Sequence, residues 1–153
     1  MARNTAFGET SGTPAPRSTI LLIEDEEAIR QLVTRFLTLN GYHVLAAENS
    51  AGARRLWDRH KDTIELLLTD LLLPPGLSGR AIAREFRTEN RELKVLYTSG
   101  HNLEATANDE CSGGQINFLP KPFRPDQLLA AVRAVLAGQL TPDFGIYAED
   151  SPS

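Results

Sequence analysis

Ile20-Leu21-Leu22-Ile23-Glu24-Asp25 is a short, continuous apolar run that ends on two carboxylates. Such a run reads as a strand buried on both faces, as in a parallel sheet. Outward from it the pattern repeats. Ile64 to Thr69, apolar but for Glu65 and Thr69, runs into Asp70, and Asn117-Phe118-Leu119-Pro120 runs into Lys121. In an open α/β sheet, ligands bind beyond the carboxyl ends of the strands. Three carboxylates and one lysine, far apart in sequence, therefore converge on one rim, and that combination suits a divalent metal and a phosphoryl group.

Between these runs the spacing alternates strand and helix. Strand one, Ile20–Glu24, is followed by a helix over about 26–40. Its apolar residues Ile29, Leu32, Val33, Phe36 and Leu37 form one helical stripe. Asn40-Gly41 stops it. A second strand, Tyr42–Ala47, precedes a helix over about 51–60 that Asn49 or Ser50 caps, with Leu56 and Trp57 facing inward. After the third strand, Ile64–Asp70, Pro74-Pro75-Gly76 imposes a loop. A helix over about 79–89 carries Ile82 and Phe86, and Lys94–Thr98 is strand four. Residues 101–114 hold few large apolar side chains, so a fourth helix there is short and weakly anchored. Strand five is Asn117–Leu119, and Pro125 opens a last helix carrying Leu128, Leu129, Val132, Val135 and Leu136. Five β-α alternations predict an α/β fold, a doubly wound parallel sheet with helices on both faces.

The rest of the composition narrows the function. The chain has 153 residues, 41% hydrophobic and 24% charged, enough for one substantial domain. Its net charge of −4, without a basic cluster, argues against a nucleic-acid surface. One cysteine, Cys111, excludes an intramolecular disulfide and fits a cytoplasmic setting. No run approaches the ~18 apolar residues of a membrane span. Residues 1–18 read as a disordered Thr/Ser/Gly/Pro-rich extension, 19–138 as the folded unit and 139–153 as a tail, with Phe144, Ile146 and Tyr147 available for docking.

Magnesium takes hard oxygen ligands, through one or two carboxylates plus phosphate oxygens. Asp25 and Asp70 supply such a pair, and Glu24 assists through water. An aspartate can also be the nucleophile toward phosphorus, forming an aspartyl-phosphate. Lys121 and a hydroxyl at the end of strand four, Ser99 or Thr98, then face the phosphoryl oxygens. Each residue alone has a plain structural reading: acids favoured at a helix N-terminus, a turn aspartate, a solvated lysine, a turn serine. Their convergence on one rim is what those readings do not explain.

At these residues the chain resembles the receiver domain of bacterial two-component response regulators. The matching segments are LLIEDEEAIR, LLLTDLLLPPGLSG, VLYTSG and NFLPKPF, in that order, over 19–138. The resemblance implies a flavodoxin-like (βα)5 fold with strand order 2-1-3-4-5, the order that members of this family adopt. It implies that Asp70 accepts a phosphoryl group from a phosphohistidine. Magnesium would be held by Asp25, Asp70 and the backbone carbonyl of Leu72, with Glu24 in the acidic pair. Lys121 would contact the phosphoryl group, with Lys121-Pro122 cis. Phe118 would be the switch aromatic, moving with Ser99; Thr98 is the alternative hydroxyl but points to the opposite face. Leu72 and His101 would tune phosphate lifetime, and exposed Glu26, Glu27, Arg30 and Thr34 would face the kinase.

The implied partners are a sensor histidine kinase or a histidine phosphotransfer protein, an unidentified downstream protein, and a second copy of the chain if it dimerises, with neither nucleic acid nor membrane. Glu24 stands where aspartate is commoner in the family, the loop after Asp70 is one residue longer than the usual form, and the weak fourth helix departs most. The 15 residues after Gly138 are too few for an output domain, so a stand-alone receiver is expected. It would be a non-enzymatic acceptor. Alternatives are a phosphate sink or relay, and a degenerate receiver that binds partners without phosphorylation. A magnesium-dependent phosphatase with an aspartyl nucleophile would carry an acid where Leu72 stands. A nucleotide-binding enzyme would carry a glycine-rich phosphate loop, and none occurs.

Overall fold

A computed structural model describes residues 18–73, 77–99 and 117–139, with the side chains of Leu77 and Ser99 outside that description. The main sheet holds β1 (Thr19–Ile23), β2 (His43–Ala47), β3 (Ile64–Asp70), β6 (Lys94–Ser99) and β7 (Phe118–Pro120). Its order is β2-β1-β3-β6-β7, all parallel. Counting only these five strands, this is the expected 2-1-3-4-5 order. Among the described residues the helices are α1 (Glu27–Leu39), α2 (Ser50–His60), α3 (Gly79–Arg87) and the C-terminal α4 (Pro125–Leu136).

Side-chain alternation along the strands builds two cores. Leu21, Ile23, Leu67, Val95 and Tyr97 face α2 and α3, where Trp57, Ile82 and Phe86 complete one buried cluster. Ile20, Leu22, Leu66, Leu68 and Leu96 turn to the other side, against Val33 and Leu37 of α1 and Leu128, Val132 and Val135 of α4. Strands covered on both faces need apolar residues at consecutive positions, which is why these runs do not alternate. Trp57 and Phe86 stack with centroids 4.4 Å apart, and the indole N–H donates to Glu89 Oε1 at 2.6 Å. Trp57 is thus a packing residue between α2 and α3.

Local signals set the helix ends. Asn49 caps α2, its Oδ1 accepting from the Gly52 N–H at 2.8 Å, and Ser78 Oγ accepts from the Arg80 N–H at the start of α3. Gly41 follows α1 at φ +94°, a left-handed position that suits glycine.

Three features differ from the sequence reading. Leu32, placed in the inward stripe of α1, is 63% exposed; the helix packs along Val33 and Leu37, and Leu32 lies past that contact line. A small antiparallel ribbon, β4 (Leu72–Leu73) with β5 (Leu77–Ser78), flanks the predicted Pro74-Pro75-Gly76 loop. Two-residue strands held by main-chain pairing leave no periodicity to read. Strands one and five also run one residue earlier and later than expected, so Glu24 and Lys121 begin the loops. The expected helix at 101–114 and both tails lie outside the described residues.

Candidate functional site

The rim at the carboxyl ends of β1, β3 and β7 carries the site. Ile23 pairs with Thr69 across β1 and β3, so Glu24 and Asp70 emerge side by side. Lys121 follows β7, two strands from β3, and neighbouring strands lie about 4.8 Å apart. A short side chain does not span that gap. The lysine stem does: Nζ donates to Asp70 Oδ2 at 3.0 Å and to Glu24 Oε1 at 3.0 Å. The peptide between Lys121 and Pro122 is cis.

Glu24 is almost fully buried at 3% exposure, and each of its polar atoms is engaged. Its N–H continues the sheet to Ala47 O, Oε1 accepts from Lys121, Oε2 accepts from the Glu26 N–H at 3.0 Å, and its carbonyl accepts from Arg30 Nη1 at 2.9 Å. Buried charge requires this degree of pairing. Glu24, Asp25 and Asp70 place one carboxylate oxygen each within 4.8 Å of one another, with Asp25 exposed and Asp70 partly buried. A saturated Glu24 leaves Asp25 and Asp70 as the oxygens open to a hard cation, and the donor set fits Mg2+. Burial alone would lower the Lys121 ammonium pKa, but its hydrogen bonds and attraction to Glu24 and Asp70 outweigh that, and the group ends above the ordinary lysine value.

Beneath Asp70 the backbone is tightly seated. Leu71 N–H donates to Thr98 O at 2.9 Å, and Gly79 N–H donates to Leu71 O at 2.8 Å. A Cβ at Gly79 would overlap the Asp70 carbonyl oxygen and lie 3.2 Å from Thr69 Cγ2. The start of α3 therefore holds the Asp70 end of β3 by close backbone approach, the role glycine alone fills.

The other sequence-named residues fall as follows. Thr98 is 5% exposed and sits opposite Asp70 in register, while Ser99 is the next residue on the rim, paired with Pro120, its side chain outside the description. Phe118 is half-buried against the α2–α3 cluster. Leu72 is 63% exposed in the ribbon just after Asp70. Glu26 and Glu27 are exposed on α1. Arg30 and Thr34, expected to be exposed, are not: the Arg30 side chain is 18% exposed, and the Thr34 hydroxyl is buried without a partner among the described residues. His101 and the Cys111 region lie outside the described residues. Sequence reasoning missed the roles of Arg30 and Gly79, because both act on main-chain carbonyls and no side-chain pairing announces them.

No described helix is long and apolar enough to cross a membrane. The family model for the response regulator receiver domain matches residues 20–133. The chain is 35% identical over 118 residues to Protein PetR of Rhodobacter capsulatus, covering 76% of this chain and 48% of that protein. It is 30% identical over 122 residues to Sensor kinase CckA of Brucella abortus, covering 80% of this chain and 13% of the kinase. The chain thus spans less than half the length of either relative. Among solved structures, a receiver domain protein from Clostridium thermocellum superposes with TM-score 0.71 at 28% identity, covering 79% of this chain and 95% of that one. The receiver domain of the hybrid histidine kinase CckA superposes with TM-score 0.64 at 30% identity, covering 77% and 98%.

Proposed function

The chain belongs to the response regulator receiver domains of two-component signalling, and from that premise we propose that Asp70 is its phosphoacceptor, taking a phosphoryl group from a phosphohistidine of a sensor kinase or a phosphotransfer protein. The observation that carries this reading is Lys121 Nζ, 3.0 Å from both Asp70 and the buried acidic partner Glu24. In the transfer, an Asp70 carboxylate oxygen bonds to phosphorus while the phosphorus–nitrogen bond breaks, and the leaving imidazole is released neutral once its nitrogen is protonated. Lys121 already stands at the acceptor oxygen, so its ammonium neutralises charge on the arriving group. Glu24 keeps that ammonium in place and cationic. Asp25 and Asp70, with the Leu72 carbonyl, would hold Mg2+, which supplies charge neutralisation and alignment of the phosphoryl oxygens.

Phosphorylation must then favour one of two conformations through contacts that differ between them. Lys121, Ser99 and Phe118 are the residues we assign to that change. Leu72, two residues after Asp70, brings no acid to activate water, which supports an acceptor rather than a turnover hydrolase. A phosphohistidine donor and the lone cysteine support a cytoplasmic setting, with output through a protein partner.

The test is incubation with a small phosphodonor and Mg2+, with intact mass read on wild type and Asp70→Asn. One phosphoryl group on wild type and none on the variant is expected. No addition to wild type sinks the acceptor reading in favour of a phosphorylation-independent binding module. A group that persists on the variant moves the acceptor elsewhere.

A further inference from the structure

We infer that Arg30 is a positioning residue for the metal-binding carboxylates rather than a partner-facing charge, a role that rests on the Mg2+ reading above. Arg30 sits in the first turn of α1 with its side chain mostly covered. Its Nη1 donates at 2.9 Å to the carbonyl of Glu24, the oxygen of the peptide that joins Glu24 to Asp25. Its Nη2 lies 4.0 Å from Glu48 Oε1, in the loop after β2. The guanidinium thus spans the ends of β1 and β2 from α1, and the planar fork of arginine suits two directed contacts at once.

The two acids it serves are held differently. The Glu24 side chain is fixed on both oxygens by Lys121 and the Glu26 N–H. The exposed Asp25 carboxylate has no hydrogen bond or ion pair to any described residue. What positions it is therefore the backbone, which fixes the Cα–Cβ bond from which its rotamers swing, and the orientation of that backbone is set by the Glu24–Asp25 peptide plane. Arg30 holds the plane by its oxygen. Without that contact the peptide can rock, and Asp25 spends less time facing Asp70.

The sign of the effect separates this role from simple electrostatics. A cation near an acidic cluster repels a metal ion, so removing Arg30 for its charge alone tightens Mg2+ binding. Removing it as a positioning residue weakens binding, and supports behind metal ligands are typically worth at least about ten-fold in affinity.

The experiment titrates MgCl2 into the full chain by calorimetry for wild type, Arg30→Met, Arg30→Lys and Asp25→Asn, with far-ultraviolet circular dichroism and melting on each. Arg30→Met is expected to bind Mg2+ about ten-fold more weakly. Arg30→Lys, which keeps the charge and one donor, is expected to fall between it and wild type. Asp25→Asn marks the full loss of a ligand. Arg30→Met binding as tightly as wild type, or more tightly, overturns the proposal. So does a lower melting temperature with an unchanged Mg2+ affinity, the signature of a purely structural residue. Should Arg30→Met fail to fold, Arg30→Lys decides by the same comparison. Wild type that binds no Mg2+ overturns the metal reading itself, an outcome distinct from wild-type binding that the arginine variants leave intact.

Discussion

Replacing Gly79 with alanine tests the seating of the Asp70 end of β3 directly. The added Cβ would overlap the carbonyl oxygen of Asp70 and come within 3.2 Å of that carbonyl carbon and of Thr69 Cγ2. The opposed oxygen is main chain, the end of β3, and Gly79 is tied to the same segment by its N–H bond to Leu71 O. Relief therefore requires α3 and the end of β3 to part. Overpacking of this kind costs about 3 kcal/mol, and at the first position of α3 alanine recovers at most about 1 kcal/mol of helix propensity. The net loss of about 2 kcal/mol lowers the melting temperature by roughly 8 °C for a domain of this size.

Because the shifted atoms belong to Asp70, the proposed acceptor, phosphorylation by a small donor should slow as well, by roughly 100-fold for a displacement near 1 Å. Gly52→Ala is the matched control. Its Cβ would meet only ordinary contacts, 3.4 Å to Asn49 Oδ1 and 3.5 Å to Ala47 Cβ, inside α2. There the propensity gain stands alone, and melting rises by about 2–4 °C. The assay is thermal unfolding of the three proteins beside the rate of mass gain from the donor. A Gly79→Ala protein that melts at or above wild type refutes the close-approach argument.

Three further outcomes follow from the same site. Mg2+ at 100 times its dissociation constant should stabilise wild type by about 2.7 kcal/mol, and Asp25→Asn should erase that gain in a denaturant titration. Lys121→Met should cost about 3 kcal/mol by leaving Glu24 buried without its cation. Since the Lys121 pKa is raised on folding, its contribution is complete below about pH 10.4, the unfolded value, and fades as pH rises through the folded value. The stability gap between wild type and Lys121→Met should accordingly stay level through neutral pH and narrow only in strong alkali; narrowing near neutrality contradicts the sign. Leu72→Asn, at a 63% exposed position, should leave stability within about 0.5 kcal/mol and shorten the acyl-phosphate half-life; an unchanged half-life refutes the shielding role of Leu72.

The central strands were legible because burial on both faces leaves no room for polar alternation, so β1 and β3 announce themselves as apolar runs. The rim was legible for the same reason, since the first charged residue after such a run must sit at the strand end. β2 shows where that logic stops. Tyr42–Ala47 reads as a mostly apolar run like β1 and β3, yet β2 is one edge of the sheet, with His43 and Ala46 exposed. Edge or centre is decided by crossovers, which lie outside any one segment.

Arg30 fails for a different reason. A charged residue in the first turn of an amphipathic helix reads as solvated, and a main-chain carbonyl as its target has no letter in the sequence. Leu32 marks the reverse error, a correct period with a contact line narrower than the stripe. The β4–β5 ribbon follows from the sharp exit of the chain after Asp70, which only the packing of α3 against that strand determines.

The stacking of Trp57 on Phe86 gives the molecule a built-in optical asymmetry. Trp57 is the only tryptophan of the chain, it is 2% exposed, and it lies wholly in the cluster on the α2–α3 side of the sheet. Its emission therefore watches one half of a two-sided core, while α1 and α4 close the other half without an indole. Unfolding followed by tryptophan emission and by helical ellipticity will superimpose only if both layers separate from the sheet together. A mismatch would identify the α1–α4 layer as a separate cooperative unit, resolved without any added label.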